Sequence, residues 1–223
     1  MFKFKQVFNL RLYFIMMSKK DQIIDKAIKL FGEKGFDNTT IRELCQEAGI
    51  NIAMINYYFG SKEKLFEAMV ERKAVYMKGR LEELVNNHDL EPIEKIRQVV
   101  EEYVNRIFSH PAYHRILYRE MMLDMRPDMQ KAIRSIFAVN TQMFRKIIED
   151  GIKKKVFRKV DPELTMASMI GTINQVMLSG PLCAMLINKE PTYDPYSDDS
   201  FRKRVIKHLQ KMMESHLLDT SNS

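Results

Sequence analysis

The chain has 223 residues, enough for one large domain or for a small domain attached to a larger one. Hydrophobic residues make up 45% and charged residues 29%, which is ordinary globular usage and excludes wholesale disorder and the collagen-like and fibrous classes. The net charge of +7 permits a polyanionic partner without requiring one, because residues 17–66 contribute only 8 basic against 7 acidic side chains.

Cysteine usage and hydropathy favour a cytoplasmic protein without a membrane span. Cys45 and Cys183 are too far apart in sequence to suggest a disulfide framework or a zinc site. No apolar stretch approaches the ~20 residues that cross a bilayer, and the apolar segment 12–17 is too short for a secretory signal core. Residues 1–16 are basic and apolar without a clear period, and we expect a disordered extension there. The alternative is an amphipathic anchor on a membrane surface.

The helical pattern begins at Ser18. Apolar residues recur at i, i+4, i+7 and i+8 from Ile23, which predicts a first helix over about 19–33. A second helix is predicted from Thr40 to about residue 48, because Thr40 and Glu43 have the spacing of a capping box.

A glycine turn separates this second helix from a third. Gly49 can take the left-handed conformation that often ends a helix, and Asn51 can cap a helix over about 52–58. A short helix, a glycine turn and another short helix, supported by a first helix, form the helix-turn-helix pattern, whose second helix can enter the DNA major groove. Such hairpins are also common in proteins that do not bind DNA, so the pattern alone leaves both interpretations open.

Beyond residue 60 the chain has the pattern of helices separated by short connections marked by proline. The predicted helices span 61–86, 92–109, 112–125, 128–155, 161–187 and 201–217. No segment alternates with period two for long enough to predict a strand. The sequence therefore predicts an all-α fold.

The run from Gly35 to Phe66, GFDNTTIRELCQEAGINIAMINYYFGSKEKLF, resembles the N-terminal signature of the tetracycline-repressor (TetR) family of one-component transcriptional regulators. The matching positions are Gly35, Phe36, Thr39, Thr40, Ile41, Ala48, Gly49, Tyr57, Phe59, Ser61, Lys62, Glu63, Leu65 and Phe66. The resemblance implies a three-helix helix-turn-helix DNA-binding domain over 17–62. It also implies a helical effector-binding and dimerisation domain over 63–223.

The resemblance implies that Thr40, Tyr57 and Lys62 bind DNA phosphates. The side-chain chemistry agrees with a phosphate contact. Tyr57 and Tyr58 carry hydroxyl donors on rigid rings and Lys62 carries a cation, so Tyr57, Tyr58 and Lys62 together can clamp the DNA backbone. The alternative is that the tyrosines are packing residues and Lys62 a surface cation. The complete set of predicted DNA-binding residues is Thr40, Arg42, Asn51, Ile52, Ala53, Met54, Asn56, Tyr57, Tyr58 and Lys62.

Base recognition is predicted for the third helix, which departs from the common family pattern. Ile52 and Met54 stand where a basic or hydroxyl residue is frequent, and Asn56 stands where tyrosine is frequent. Asn51 and Asn56 can pair with adenine, while Ile52, Ala53 and Met54 can contact thymine methyl groups. These residues favour a half-site that contains A·T pairs.

The C-terminal part carries the apolar patterns expected of a dimerisation and effector domain. Apolar and small residues on two helices predict an intersubunit four-helix bundle, and the alternative is that both stripes face their own core. The predicted interface residues are Leu164, Ser168, Gly171, Gln175, Phe201, Val205, Leu209 and Met213. The residues predicted to line an apolar effector cavity are Tyr103, Phe108, Tyr118, Met121, Met122, Met125, Phe137 and Phe144. Arg119 and Glu120 either orient a polar ligand group or pair with each other.

No catalytic or metal-binding pattern stands out, and no cofactor motif is present. The histidines lack the H-E-x-x-H spacing that places two ligands on one helix face. We therefore expect a homodimeric regulator, most simply a repressor, that binds a palindromic DNA operator and is released by a small apolar or amphipathic molecule. Two alternatives remain at this stage: a helical-bundle carrier or enzyme, and an adaptor that uses the 40–58 hairpin to bind protein.

Overall fold

The computed structural model describes residues 19–123, 126–177 and 180–218, and the predicted extension 1–16 lies outside them. Within these ranges the regular structure consists of helices alone, which confirms the predicted all-α class. The helices are α1 (19–34), α2 (Ile41–Ala48), α3 (Ile52–Tyr58), α4 (Lys62–Asn86), α5 (Pro92–Ser109), α6 (Pro111–Leu123), α7 (Pro127–Lys153), α8 (Pro162–Met177), α9 (Gly180–Leu186) and α10 (Asp199–Leu217). A short 3₁₀ turn, Pro195–Ser197, precedes α10.

The predicted helix over 161–187 is wrong in one respect, because the structure has two helices there. The first is α8, and α9 begins at Gly180. Pro181 explains the separation, since its ring nitrogen cannot donate to the carbonyl oxygen of residue 177 and its ring would clash with that carbonyl.

The described chain divides into two structural units. The first contains residues 19–73 together with 112–134, and the second contains residues 74–111 together with 135–218, apart from the undescribed positions. Both α4 and α7 therefore continue from one unit into the other. The inclusion of residues 112–134 in the N-terminal unit had no signal in the sequence pattern.

The first unit is built around three aromatic rings. Phe31, Phe36 and Phe66 lie with ring centroids 5.2–5.9 Å apart and are almost fully buried. Other buried apolar residues of this unit include Ile23, Ile24, Ala27, Leu30, Leu44, Ile55, Leu65 and Met69. Each helix thus buries one apolar stripe, and the exposed faces of α2 and α3 remain at the surface.

The second unit packs α10 against α5 and α8. Val205, Leu209 and Met213 of α10 are buried in the same core as Val100 of α5 and Met169 of α8. Polar contacts support this packing: Arg97 Nε lies 2.6 Å from Glu214 Oε1, and Gln210 donates to the Arg97 carbonyl oxygen at 3.2 Å.

No single helix within the described ranges is long and apolar enough to cross a bilayer, and only the bent pair Pro162–Gln175 and Gly180–Leu186 reaches that length and composition jointly.

Candidate nucleic-acid interface

The predicted capping box fixes the start of α2. Thr40 Oγ1 accepts a hydrogen bond from the Glu43 backbone N–H at 3.2 Å, and Glu43 Oε2 accepts one from the Thr40 backbone N–H at 2.8 Å. Lys34 lies 2.6 Å from the Glu43 carboxylate. The Lys34 hydrogen bond, followed by those from Thr40, lowers the pKa of Glu43 to about 2. The first turn of α2 is therefore held in place by side chains three residues apart.

The turn between α2 and α3 has the predicted form. Gly49 has φ 61° and ψ 43°, a left-handed conformation that disfavours a side chain, and Ile50 N–H donates to the Cys45 carbonyl oxygen at 3.0 Å. Asn51 then caps α3, because its Oδ1 accepts from the Met54 backbone N–H at 3.0 Å. Two short helices thus meet across a turn of three residues.

One face of α3 is exposed and the opposite face is buried. Ile55 is fully buried and fixes the helix against the core. Ile52, Ala53, Asn56 and Tyr57 are exposed, at the i, i+1, i+4, i+5 spacing that places them on a single face. Met54 and Tyr58 are half-buried at the margin. Two large apolar or aromatic side chains, Ile52 at 44% and Tyr57 at 73% exposure, are thus presented to the surface.

Tyr57 and Tyr58 form an aromatic pair at the end of α3. Their rings meet edge to face, with centroids 5.3 Å apart, and Tyr58 also contacts Phe59 at 6.3 Å. The contact to Phe59 anchors Tyr58, while Tyr57 projects outward. The two hydroxyl-bearing rings therefore lie side by side at the end of α3, with Tyr57 exposed and Tyr58 half-buried.

Lys62 is engaged differently from the sequence expectation. Its ammonium donates to the carbonyl oxygens of Phe36 and Thr39, both at 3.0 Å, and lies 4.3 Å from the centroid of the Phe36 ring. These two carbonyl groups lie in the α1–α2 connection outside any helix, which explains why a cation is held there. Lys62 therefore joins the start of α4 to this connection, and any phosphate contact must share the same ammonium group.

The exposed side chains of α2 add to the same surface. Arg42 is exposed in the first turn of α2, and no partner for it occurs among the described residues. The N-cap residues Thr40 and Asn51 are both exposed. The N-terminal ends of α2 and α3 carry partial positive charge, so the exposed caps are suited to contact an anionic backbone.

A buried charged cluster that the sequence did not predict lies in the first unit. The Glu120 side chain is 1% exposed and accepts from Arg126 Nη1 at 2.6 Å. The Arg126 guanidinium also pairs with Asp37. It lies 4.5 Å from the centroid of the Phe36 ring, which Lys62 contacts as well. Burial raises the pKa of Glu120, and the nearby Arg126 opposes that shift.

The same cluster corrects the suggested pairing of Arg119 with Glu120. Arg119 instead lies against Gly35: a Cβ added at Gly35 would be 2.9 Å from Arg119 Nη1. Gly35 also has a positive φ of 83°. The pairing of Glu120 with Arg126 spans six residues across the end of α6, a separation that no helical repeat would indicate.

The predicted dimer residues fall into two groups. Leu164, Ser168, Gly171 and Gln175 of α8 are all exposed. Phe201, Val205, Leu209 and Met213 of α10 are instead 0–7% exposed and pack into the core of their own unit. The apolar stripe of α10 thus packs within its own chain, whereas the α8 stripe, which the alternative interpretation also placed in that core, is exposed. The exposed face of α10 is basic and includes Lys203, Arg204, Lys207 and Lys211.

The predicted effector-lining residues are distributed over both units. In the second unit Phe108 and Phe144 are buried, Tyr103 and Phe137 are half-buried, and Phe108 contacts the rings of Tyr196 and Phe201. In the first unit Tyr118 is half-buried beside His114, whereas Met121 and Met122 are 40% and 77% exposed. Met125 lies outside the described residues. Exposed Met122 therefore lines no enclosed cavity within its own unit.

Comparison with known proteins identifies the class. Residues 23–69 match the profile described as "Bacterial regulatory proteins, tetR family", and residues 89–178 match "Tetracyclin repressor-like, C-terminal domain". The first match contains α2, α3 and the start of α4. The two matches correspond to a helix-turn-helix segment and a helical C-terminal segment.

Individual relatives agree with this class. The Bacillus subtilis (strain 168) protein "Probable HTH-type transcriptional regulator YttP" is 32% identical over 143 residues, which is 63% of this chain and 68% of that protein. The Pseudomonas putida "HTH-type transcriptional repressor NicS" is 31% identical over 141 residues, 62% of this chain and 66% of that protein. The fatty acid degradation regulator FadR from Bacillus halodurans has a similar fold, with a TM-score of 0.68 at 19% identity over 86% of this chain and 94% of that one.

The chain therefore belongs to the TetR family of helix-turn-helix transcriptional regulators. The members of this family are DNA-binding regulators, not enzymes. The prediction of family, fold class and regulatory function from the sequence is thereby confirmed.

Proposed function

We propose that this chain represses transcription as a homodimer on a palindromic operator and leaves the DNA when a small apolar or amphipathic effector binds. Because bacterial DNA lies in the cytoplasm, we propose that the chain acts there. The exposed face of α3 is the observation that carries the proposal. A major groove offers thymine methyl groups and hydrogen-bonding base edges, and the exposed Ile52, Asn56 and Tyr57 can contact both.

DNA binding is tested with a labelled duplex taken from immediately upstream of the chain's own coding sequence, followed by fluorescence anisotropy. Asn51→Ser is a suitable variant because serine retains an oxygen for the α3 cap and removes only the amide. If Asn51 reads a base, the variant loses about 1–3 kcal/mol on the preferred site and far less on random DNA. An equal loss on both duplexes would show that Asn51 does not read sequence.

Arg42 tests the phosphate contacts. Arg42→Ala should weaken binding to every duplex alike and reduce the dependence of log K on log salt by about 1 per subunit. Lys153→Ala is the matched control, because Lys153 is also an exposed cation and lies in the last turn of α7 in the second unit. An unchanged salt slope in Arg42→Ala would remove this residue from the proposed interface. No binding of the wild-type protein to any tested duplex would contradict the proposal itself.

The proposed dimer surface is centred on α8. Leu164 is 66% exposed, and Ser168 and Gly171 let a second helix approach closely. Gly171 allows a sharp test, because a Cβ at this position meets no atom within 4 Å in its own subunit. Gly171→Arg should therefore fold and yet sediment as a monomer, while Gly171→Ala should remain dimeric. A dimeric Gly171→Arg variant would exclude this surface.

An effector with a long apolar chain is supported by a structural neighbour. FadR from Bacillus subtilis, whose structure is a complex with stearoyl-CoA, matches with a TM-score of 0.67 at 19% identity over 84% of this chain and 96% of that one. If stearoyl-CoA favours the form that does not bind DNA by ~3 kcal/mol, operator affinity falls about a hundredfold. Coenzyme A without the acyl chain is the control. Unchanged DNA binding with stearoyl-CoA would exclude this effector class and leave DNA recognition intact.

A further inference from the structure

A small cavity in the second unit lies where the end of α4, the start of α5 and the second half of α7 meet. It has a volume of about 170 Å³ and is lined by Val85, His88, Lys95, Lys146, Ile147 and Asp150. This volume equals that of several water molecules, so a small hydrated ion can enter. The cavity uses none of the residues assigned above to DNA, dimer or effector binding.

Lys95 is a buried charged residue of the cavity lining. The residue is only 3% exposed, although lysine is almost never fully buried unless it is paired. Its ammonium donates to the Val85 carbonyl oxygen at 3.3 Å, which is a long hydrogen bond to a neutral acceptor. A buried ammonium needs an opposite charge to compensate for the water that it has lost.

The described residues do not provide that charge. Within the described ranges, neither Lys95 nor Lys146 has a carboxylate at ion-pair distance. Asp150 is the acidic residue of the lining, and its Oδ2 lies 2.9 Å from the ammonium of Lys154, one turn further along α7. Lys95 and Lys146 thus outnumber the single carboxylate of the lining, which Lys154 also approaches, so the cavity carries excess positive charge.

We propose that this cavity binds a phosphate group, with Lys95 as the buried contact and Lys146 and His88 as contacts at the exposed rim. Lysine binds phosphate as a compact point charge with three donors. Lys95 lies just past the first turn of α5, so the positive end of that helix dipole adds to the attraction. The phosphate is either a free ion or part of a larger metabolite, since both present the same oxygens.

Inorganic phosphate is the first probe, titrated into the full-length protein by calorimetry with chloride holding the ionic strength constant. The wild type should bind in a saturable manner with one site per chain. Lys95→Met, which preserves the apolar stem, should weaken binding at least tenfold, and Lys146→Ala should weaken it by a smaller factor. Lys78→Met is the matched control, because Lys78 is an exposed lysine of α4 that does not line the cavity, and its affinity should be unchanged.

Coenzyme A, which carries phosphate groups on a larger molecule, distinguishes the two sources. If coenzyme A binds more tightly than inorganic phosphate and both lose affinity in Lys95→Met, the phosphate belongs to a larger metabolite. If inorganic phosphate binds at least as tightly, the ligand is the free ion. The absence of saturable binding of either probe, or equal affinity in all four proteins, would overturn the proposal. If Lys95→Met does not fold, Lys146→Ala still tests the phosphate site. Operator binding is measured in a separate assay, so that a failure of the phosphate site is distinguished from a failure of DNA binding.

Discussion

Replacing Arg126 with methionine should expose how strongly the first unit depends on its buried charge cluster. The Arg126 guanidinium lies 2.6 Å from the Glu120 carboxylate, whose side chain is 1% exposed, and 4.5 Å from the Phe36 ring centroid. In Arg126→Met the apolar stem remains. The carboxylate then loses its partner and remains buried.

The size of the effect follows from two competing costs. Leaving one member of a buried ion pair unpaired costs about 3–5 kcal/mol. The Glu120 carboxyl can avoid this cost by taking up a proton, which at pH 7 costs about 3.7 kcal/mol for a group with an ordinary pKa. The smaller cost sets the limit, so we expect Arg126→Met to lose about 3–4 kcal/mol of unfolding free energy at pH 7.

The loss should depend on pH in a definite direction. Burial raises the pKa of Glu120, and removing Arg126 removes the largest of the charges that oppose this shift. A carboxyl group whose folded pKa is raised stabilises the protein at pH values below its unfolded pKa, and that contribution is lost as pH rises through the folded pKa. The difference between the variant and the wild type should therefore shrink between pH 7 and pH 5.

Urea unfolding at pH 7 and pH 5 measures both quantities. Arg42→Met is the matched control, because Arg42 is an exposed arginine of the same unit, and its change should stay within about 0.5 kcal/mol. A loss below about 1 kcal/mol for Arg126→Met at pH 7 would refute the burial argument. An equal loss at both pH values would show that Glu120 stays ionised in the variant.

Three further predictions concern individual backbone and capping positions. Gly151→Ala should lower the unfolding free energy by about 1–3 kcal/mol in thermal melts, because its Cβ would overlap the ring of Phe157, and an unchanged melting temperature would contradict this contact. Gly49→Ala should cost about 1 kcal/mol through its positive φ alone, since no atom lies within 4 Å of the added Cβ; a larger loss would indicate a clash. The pKa of Glu43 is lowered to about 2, so the stabilisation from its charge is present above the unfolded pKa and disappears as pH falls towards 2. The melting temperatures of wild type and Glu43→Gln should converge over that range, and a constant gap would argue against it.

Features that depend on residues three or four positions apart were predictable from the sequence. The Thr40–Glu43 capping box, the left-handed Gly49 and the Asn51 cap each involve neighbouring backbone groups, and each has the predicted geometry. The alternation of exposed and buried residues on α3 likewise follows from the helical period, because Ile55 must face the core if Asn56 and Tyr57 face away from it.

Features that depend on tertiary partners were not predictable. An apolar stripe such as Phe201, Val205 and Leu209 shows that α10 must bury one face, but it does not show whether the covering surface belongs to the same chain or to another. Lys62 presented the same difficulty, since a cation at a helix start can face solvent, a phosphate or, as the structure shows, two backbone carbonyl oxygens. In both cases the deciding contacts join residues more than twenty positions apart.

The charge distribution of the first unit bears directly on how it would hold DNA. Residues 19–73 carry ten basic and nine acidic side chains, and residues 112–134 carry five and three. Several of these cations are already committed: Lys34 pairs with Glu43, and Arg126 with Glu120. A surface of this kind attracts a polyanion only weakly at a distance. If the unit binds an operator as we propose, directed contacts from helix N-termini, hydroxyl groups and the exposed face of α3 must therefore supply a large share of the binding free energy, and affinity should depend on base sequence more strongly than on ionic strength.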